Sequence, residues 1–104
     1  MASIDIHSGP YPRRRFCLGQ RSIMIGREAS CTIEIADELV SRRHLQIAYD
    51  PCSARHFAVD VGSSNGLFVN GVRVGRGTQH MLKDGDEIRI GRSLLHYTES
   101  GSGS

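Results

Sequence analysis

Apolar residues recur at every second position along most of this chain, a period that suits strands and not helices. Leu45, Ile47 and Tyr49 alternate with His44, Gln46 and Ala48, and Phe57, Val59 and Val61 alternate with His56, Ala58 and Asp60. Ile88 and Ile90 alternate with Glu87 and Arg89. Each run reads as a strand whose larger apolar residues are buried and whose other face is more polar. Shorter strand candidates lie at residues 15–18, 22–25, 32–35, 66–70, 72–74 and 94–98, and no segment of ten residues carries a helical period. The separators hold turn chemistry: Asp50-Pro51, Gly62-Ser63, Asn70-Gly71 and Asp84-Gly85. Asn70-Gly71 suits a two-residue type I′ hairpin, in which both turn positions need positive φ. Short strands, glycine turns and no crossover helices predict an all-β fold, an antiparallel β-sandwich of two twisted sheets. An OB-like or SH3-like barrel is the alternative.

With 104 residues and 38% apolar content, there is material for one domain and one modest core of Val, Ile and Leu. Residues 8–12, with Gly9, Pro10 and Pro12, read as a loop. Residues 1–12 are therefore expected to be an N-terminal extension, 13–98 the domain, and 99–104 a flexible Gly/Ser tail of linker composition. Cys17, Cys31 and Cys52 are odd in number and widely spaced, so neither a zinc site nor a disulfide is signalled. They read as small, partly buried hydrophobes in a reducing compartment. No apolar stretch resembles a signal peptide, and none approaches the ~20 residues needed to span a bilayer. An intracellular module without membrane contact is the expectation.

The formal net charge of +2 does not by itself imply nucleic acid. Twelve of the thirteen basic residues are arginine, whose planar donor fork fits carboxylates and phosphates. Four short motifs follow strand candidates in order: Gly26-Arg27, Ser41-Arg42-Arg43-His44, Ser63-Ser64-Asn65-Gly66 and Asn70-Gly71. A guanidinium, small hydroxyls and glycine-supported amides together describe a site for a phosphate dianion. In a sandwich, Arg27, Ser41-Arg42 and Ser63-Ser64-Asn65 can meet at one end. Ser41 or Ser63, His44 and Asp60 supply the ingredients of a triad, but no Gly-x-Ser-x-Gly elbow and no Gly-x4-Gly-Lys phosphate loop occurs. No catalytic residue, metal ligand or cofactor is assigned.

These four motifs in order, on an all-strand background, resemble the forkhead-associated (FHA) domain over about residues 15–98. The resemblance implies an FHA/SMAD-like sandwich of about eleven strands that binds phosphothreonine in partner proteins, with a kinase acting upstream. It implies that Arg27 contacts the phosphate and that the Ser41 hydroxyl and neighbouring amides reach it. It further implies that Arg42 lies near the peptide, Ser64 at the phosphothreonine pocket, and Asn65 on the ligand backbone. Gly26, His44, Gly66, Asn70 and Gly71 then have structural roles in bracing the loops. The family often has threonine after its Asn-Gly; here the residue is Leu67, at a strand start. Preference for threonine has a physical basis, since burying one extra methyl contributes about 0.8 kcal/mol. Branching at Cβ also restricts χ1, so less freedom is lost on docking. Two other readings stand beside this one. One is a degenerate FHA fold that binds partners without phosphate. The other is nucleic-acid binding through Arg13–Arg15, Arg42-Arg43, Arg73 and Arg76, for which stacking aromatics are scarce because Phe16, Phe57 and Phe68 read as core or strand residues. A monomeric module is expected.

Overall fold

Eleven strands and no helix make up residues 2–9 and 12–99, the part of the chain that the computed structural model describes. The strands are β1 (Ala2–Ser8), β2 (Arg14–Cys17), β3 (Ile23–Gly26), β4 (Ile33–Glu34), β5 (Leu45–Asp50) and β6 (Arg55–Asp60), followed by β7 (Leu67–Val69), β8 (Val72–Val74), β9 (Gln79–Met81), β10 (Glu87–Ile90) and β11 (Ser93–Glu99). They form a six-stranded sheet in the order β2-β1-β11-β10-β7-β8 and a five-stranded sheet in the order β4-β3-β5-β6-β9. Between the sheets lies a core that includes Ile4, Ile6, Ile25, Ile35, Leu45, Ile47, Leu67, Leu82, Ile88, Ile90, Leu95 and Tyr97, each with 1% exposure or less. Among the described residues no helix is long and apolar enough to cross a membrane.

The β-sandwich expected from the period-two pattern is present, with one departure from a purely antiparallel arrangement. β4 runs parallel to β3, pairing Ile25 with Ile33 and Gly26 with Glu34. The connection between them is residues 27–32, and β4 itself has only two residues. Asn70 and Gly71 have φ of 53° and 82°, the double positive φ that a type I′ hairpin requires.

Residues 2–8, expected within an N-terminal extension, form a strand of the larger sheet. β1 lies inside the larger sheet, paired with β11 from Ala2 to Ser8 on one side and with β2 on the other. The signal was weak because Ser3, Asp5 and His7 break the apolar run. Yet Ile4 and Ile6 alternate with them and are fully buried. At the other terminus β11 continues through Glu99, and the rest of the expected tail, residues 100–104, lies outside the described residues. β9 likewise carries no sequence signal, since Gln79-His80-Met81 offers no apolar alternation.

The face assignment of β6 is reversed. His56, Ala58 and Asp60 point inward, while Phe57 and Val59 are half-buried on the outer face and Val61 is exposed. Polar residues face in here because each has partners. His56 Nε2 bonds Gly19 O at 3.0 Å, its Nδ1 lies 3.3 Å from Tyr97 Oη, and Asp60 caps a loop described below. Burying a polar group is tolerated when its hydrogen bonds are made. Phe16 and Phe68 likewise sit half-buried, each under a guanidinium, Arg14 at 5.5 Å and Arg89 at 5.0 Å from the ring centroid. Cys17 and Cys52 are exposed and Cys31 is half-buried, so only Cys31 matches the partly buried expectation.

Candidate functional site

β3 ends at Gly26, and the chain beyond it runs beside the segment that leads into β5. Arg27 N–H donates to Ser41 O at 3.0 Å, Glu28 N–H to Arg42 O at 3.2 Å, and His44 N–H to Ile25 O at 3.1 Å. Gly26 makes this approach possible. A Cβ there would overlap the Arg42 carbonyl oxygen and lie 2.8 Å from the Arg42 carbonyl carbon. Gly26 does not have a positive φ, so the requirement is one of space. Cys31 Sγ donates to the same Arg42 carbonyl at 3.2 Å.

The loop between β6 and β7 closes on this pair. Ser64 N–H donates to Ser41 Oγ at 3.0 Å, and Asn65 Nδ2 donates to Leu39 O at 2.8 Å. His44, fully buried, ties the same two loops from beneath. Its Nδ1 accepts the Ser41 N–H at 3.0 Å, which assigns the ring proton to Nε2, 2.7 Å from Gly66 O. Burial pushes the His44 pKa below the ordinary imidazole value, against the opposing pull of the Gly66 carbonyl and of Asp60 and Asp37. Both ring nitrogens are engaged with backbone, so His44 has no free position from which to activate Ser41.

Asp60, a triad ingredient by composition, is a structural part of this site. Its Oδ1 accepts the N–H groups of Gly62 at 2.9 Å and Ser63 at 2.8 Å, and its Oδ2 accepts the Ser63 hydroxyl at 2.7 Å. Ser63 Oγ in turn accepts Gly66 N–H at 3.0 Å. Burial acts to raise the Asp60 pKa, but the Ser63 and Gly62 amides and the Ser63 hydroxyl outweigh it and hold the carboxyl below its ordinary value. A signal was available: Asp-x-Gly-Ser after a strand is the composition of an Asx-turn, in which the carboxylate bonds the backbone two residues on. Two further arginines flank the loop. Arg76 Nη2 donates to Ser63 O at 3.3 Å, and the Arg73 guanidinium lies against Gly66. Gly66 has φ +90°, and a Cβ there would stand 3.1 Å from Arg73 Nε, so both conformation and space favour glycine.

Arg27, Ser41, Arg42, Ser64 and Asn65 are thus brought to one end of the sandwich, with Gly26, His44 and Gly66 beneath them. Asn70 and Gly71 are not. They lie across β7 at the far turn, where Asn70 Nδ2 donates to Asp86 Oδ1 at 3.0 Å and Asn70 Oδ1 accepts Glu87 N–H at 3.0 Å. Their role is to join the β7–β8 hairpin to β10. Arg27 is exposed, and its Nε donates to Val40 O at 3.0 Å. That bond orients the guanidinium and leaves both terminal nitrogens for an external acceptor. Two carboxylates near these loops have partners within the fold, whereas Glu38 is exposed. Asp37 accepts Leu39 N–H, Arg92 N–H and the Ser93 hydroxyl, and Glu28 stands 3.7 Å from Arg43. The arrangement presents positive charge, hydroxyls and a carboxamide together at one end of the sandwich.

The arginines considered for nucleic acid do not form one patch. Arg14 and Arg15 belong to β2 at one edge of the six-stranded sheet, and Arg73 belongs to β8 at the opposite edge. Arg15 is also paired with Asp5 at 2.7 Å.

A family model described as FHA domain matches residues 23–91. The chain is 38% identical over 96 residues to an oxoglutarate dehydrogenase inhibitor of Corynebacterium efficiens, an alignment covering 92% of this chain and 64% of that protein. It therefore spans less than two thirds of that relative's length. Among solved structures it is similar to the FhaA FHA domain complexed with the intracellular domain of Rv3910, with a TM-score of 0.79 and 32% identity over 93% of this chain and 99% of that one. A second similar structure comes from a structural and functional analysis of phosphothreonine-dependent FHA domain interactions. Its TM-score is 0.80 with 30% identity, covering 96% of this chain and 97% of that one.

Proposed function

We propose that this chain, which belongs to the FHA domain family, binds phosphothreonine in partner proteins and so mediates protein–protein interaction controlled by phosphorylation. The observation that carries this reading is the convergence of Arg27, Ser41, Ser64 and Asn65 on one end: Arg27 and Asn65 donate to the Val40 and Leu39 carbonyls, and the Ser64 N–H donates to Ser41 Oγ. Arg27 and the Ser41 hydroxyl meet the phosphate, the latter through the hydrogen not used within the fold. Ser64 borders the phosphothreonine side chain, Asn65 offers its carboxamide to the ligand backbone, and Arg42 lies beside the peptide. A phosphothreonine carries about −1.5 to −2 charges at neutral pH and strong acceptor oxygens, which suits this set. His44, Asp60 and Ser63 position the loops and do not touch the ligand.

A kinase acting on the partner is the required upstream activity, and an intracellular setting supplies it. The dehydrogenase-inhibitor relative supports a regulatory rather than catalytic role. A phosphate-independent surface is disfavoured because the guanidinium, hydroxyl and carboxamide are all in place. Calorimetry with one peptide in three forms, phosphothreonine, phosphoserine and unmodified, tests the reading. Phosphothreonine should bind tightest, phosphoserine about fourfold or more weaker from the lost methyl, and the unmodified peptide below detection. Equal affinity for the modified and unmodified peptides would refute it.

A further inference from the structure

We infer that Arg73 forms a second anion position beside the phosphothreonine loop, so that the domain selects partners carrying a further anionic side chain, a carboxylate or a second phosphate, close to the phosphothreonine. The inference rests on the proposed phosphothreonine site.

Arg73 lies in β8 opposite Phe68 of β7, which is itself opposite Arg89 of β10. The three side chains therefore share one row on the outer face of the sheet. Arg89 occupies the Phe68 ring, at 5.0 Å from its centroid. Arg73 instead turns toward the loop, where its Nε, Cζ and Nη2 would stand 3.1, 3.2 and 3.3 Å from a Cβ on Gly66. The planar guanidinium thus rests against the backbone of the residue that follows Asn65, while Arg73 remains exposed.

Nothing within the fold neutralises it. Among the described residues the ion pairs are Arg15–Asp5, Arg43–Glu28 and His96–Glu87, and Arg73 is in none of them. The carboxylates of the neighbouring elements have other partners. Asp60 holds Gly62 and Ser63, Asp86 holds Asn70 and the Lys83 amide, and Glu87 stands 3.6 Å from His96. A long cationic side chain is therefore held beside the residue that follows Asn65, exposed and, among the described residues, without a hydrogen-bond or ion-pair partner. Arginine in such a place recognises carboxylate or phosphate through paired donors. Arg27 is anchored on Val40 O and Arg73 on Gly66, two different loops, so a phosphate held at Arg27 leaves Arg73 for a different group on the ligand.

The test is a set of phosphothreonine peptides with Ala, Asp or phosphoserine at each of the three positions on either side, read by fluorescence anisotropy. In the wild type, one position should gain about two- to fivefold from Asp over Ala, as for an exposed ion pair. Phosphoserine there should gain about tenfold or more. A gain from phosphoserine alone assigns the position to phosphate, and a gain from both assigns it to anions in general. In Arg73→Gln the ratio of acidic to neutral peptide should fall to about one, and Arg73→Lys should keep part of it as a point charge. Absence of any gain in the wild type, or a ratio unchanged in Arg73→Gln, overturns the inference while phosphate-dependent binding persists. If binding proves independent of the phosphothreonine itself, it is the proposed function that fails.

Discussion

Ser41 Oγ accepts the backbone N–H of Ser64 at 3.0 Å, joining two loops 23 residues apart. A hydroxyl that accepts in this way still has its own hydrogen to donate. One small side chain thereby sets the distance between the loops and offers a donor to whatever lies above them. Ser41→Ala should lose about 1 kcal/mol of stability from the missing internal bond. Its loss of phosphopeptide affinity should exceed that of a variant destabilised equally elsewhere. Denaturant unfolding and calorimetry on the same sample check both parts.

Arg27→Ala separates binding from folding. The residue is exposed, and its one internal bond runs from Nε to the Val40 carbonyl. The melting temperature should therefore change little. Phosphopeptide affinity should fall roughly 10- to 150-fold, the range for losing a charged hydrogen bond of about 1.5–3 kcal/mol. Unaltered affinity would remove Arg27 from the site.

His44 predicts a pH dependence. Its folded-state pKa lies below the ordinary value of 6.5 because burial disfavours the charged ring. The unfolded chain therefore binds a proton more readily than the folded one. His44 contributes stability that is present above about pH 6.5 and lost as pH falls through the folded pKa. His56 is lowered by burial in the same way and acts in the same direction. Protonated Nδ1 would face the Ser41 N–H donor to donor, so the loop should loosen together with the fold. NMR titration of the His44 Cε1 proton should give a midpoint below 6.5, with the melting temperature dropping over the same window. A midpoint at or above 6.5 contradicts the assignment.

Ile4→Ala tests the place of β1. Ile4 is fully buried in a strand with neighbours on both sides. The substitution should cost about 2–5 kcal/mol, the range for emptying a core position of this size, measured by chemical denaturation. A chain beginning at residue 13 should fail to give a cooperative transition, since it lacks an interior strand. A cooperative transition from that chain would return β1 to the status of an appendage.

Several features were legible in the residues alone. The strands at Leu45–Asp50, Val72–Val74 and Glu87–Ile90 follow from alternation, and the β7–β8 turn follows from Asn70-Gly71, because these depend on neighbours one or two positions away. The identities of Arg27, Ser41, Ser64 and Asn65 as a set were legible as chemistry. The role of Asp60 is not legible there, because it depends on Gly62, Ser63 and Gly66 closing into one turn. Asn70 follows the site residues in sequence, yet β7 carries it away to the turn before β8, where it braces β10.

Local order therefore determined that this chain forms short strands with glycine turns and carries donors suited to an anion. Tertiary structure alone decided which face of β6 is buried, because His56 and Asp60 are acceptable inside only when Gly19, Tyr97 and Ser63 supply their partners. It decided equally that β1 belongs to the sheet and that the loops meet. Both outcomes rest on hydrogen bonds and packing between residues far apart in the chain, which no periodicity records.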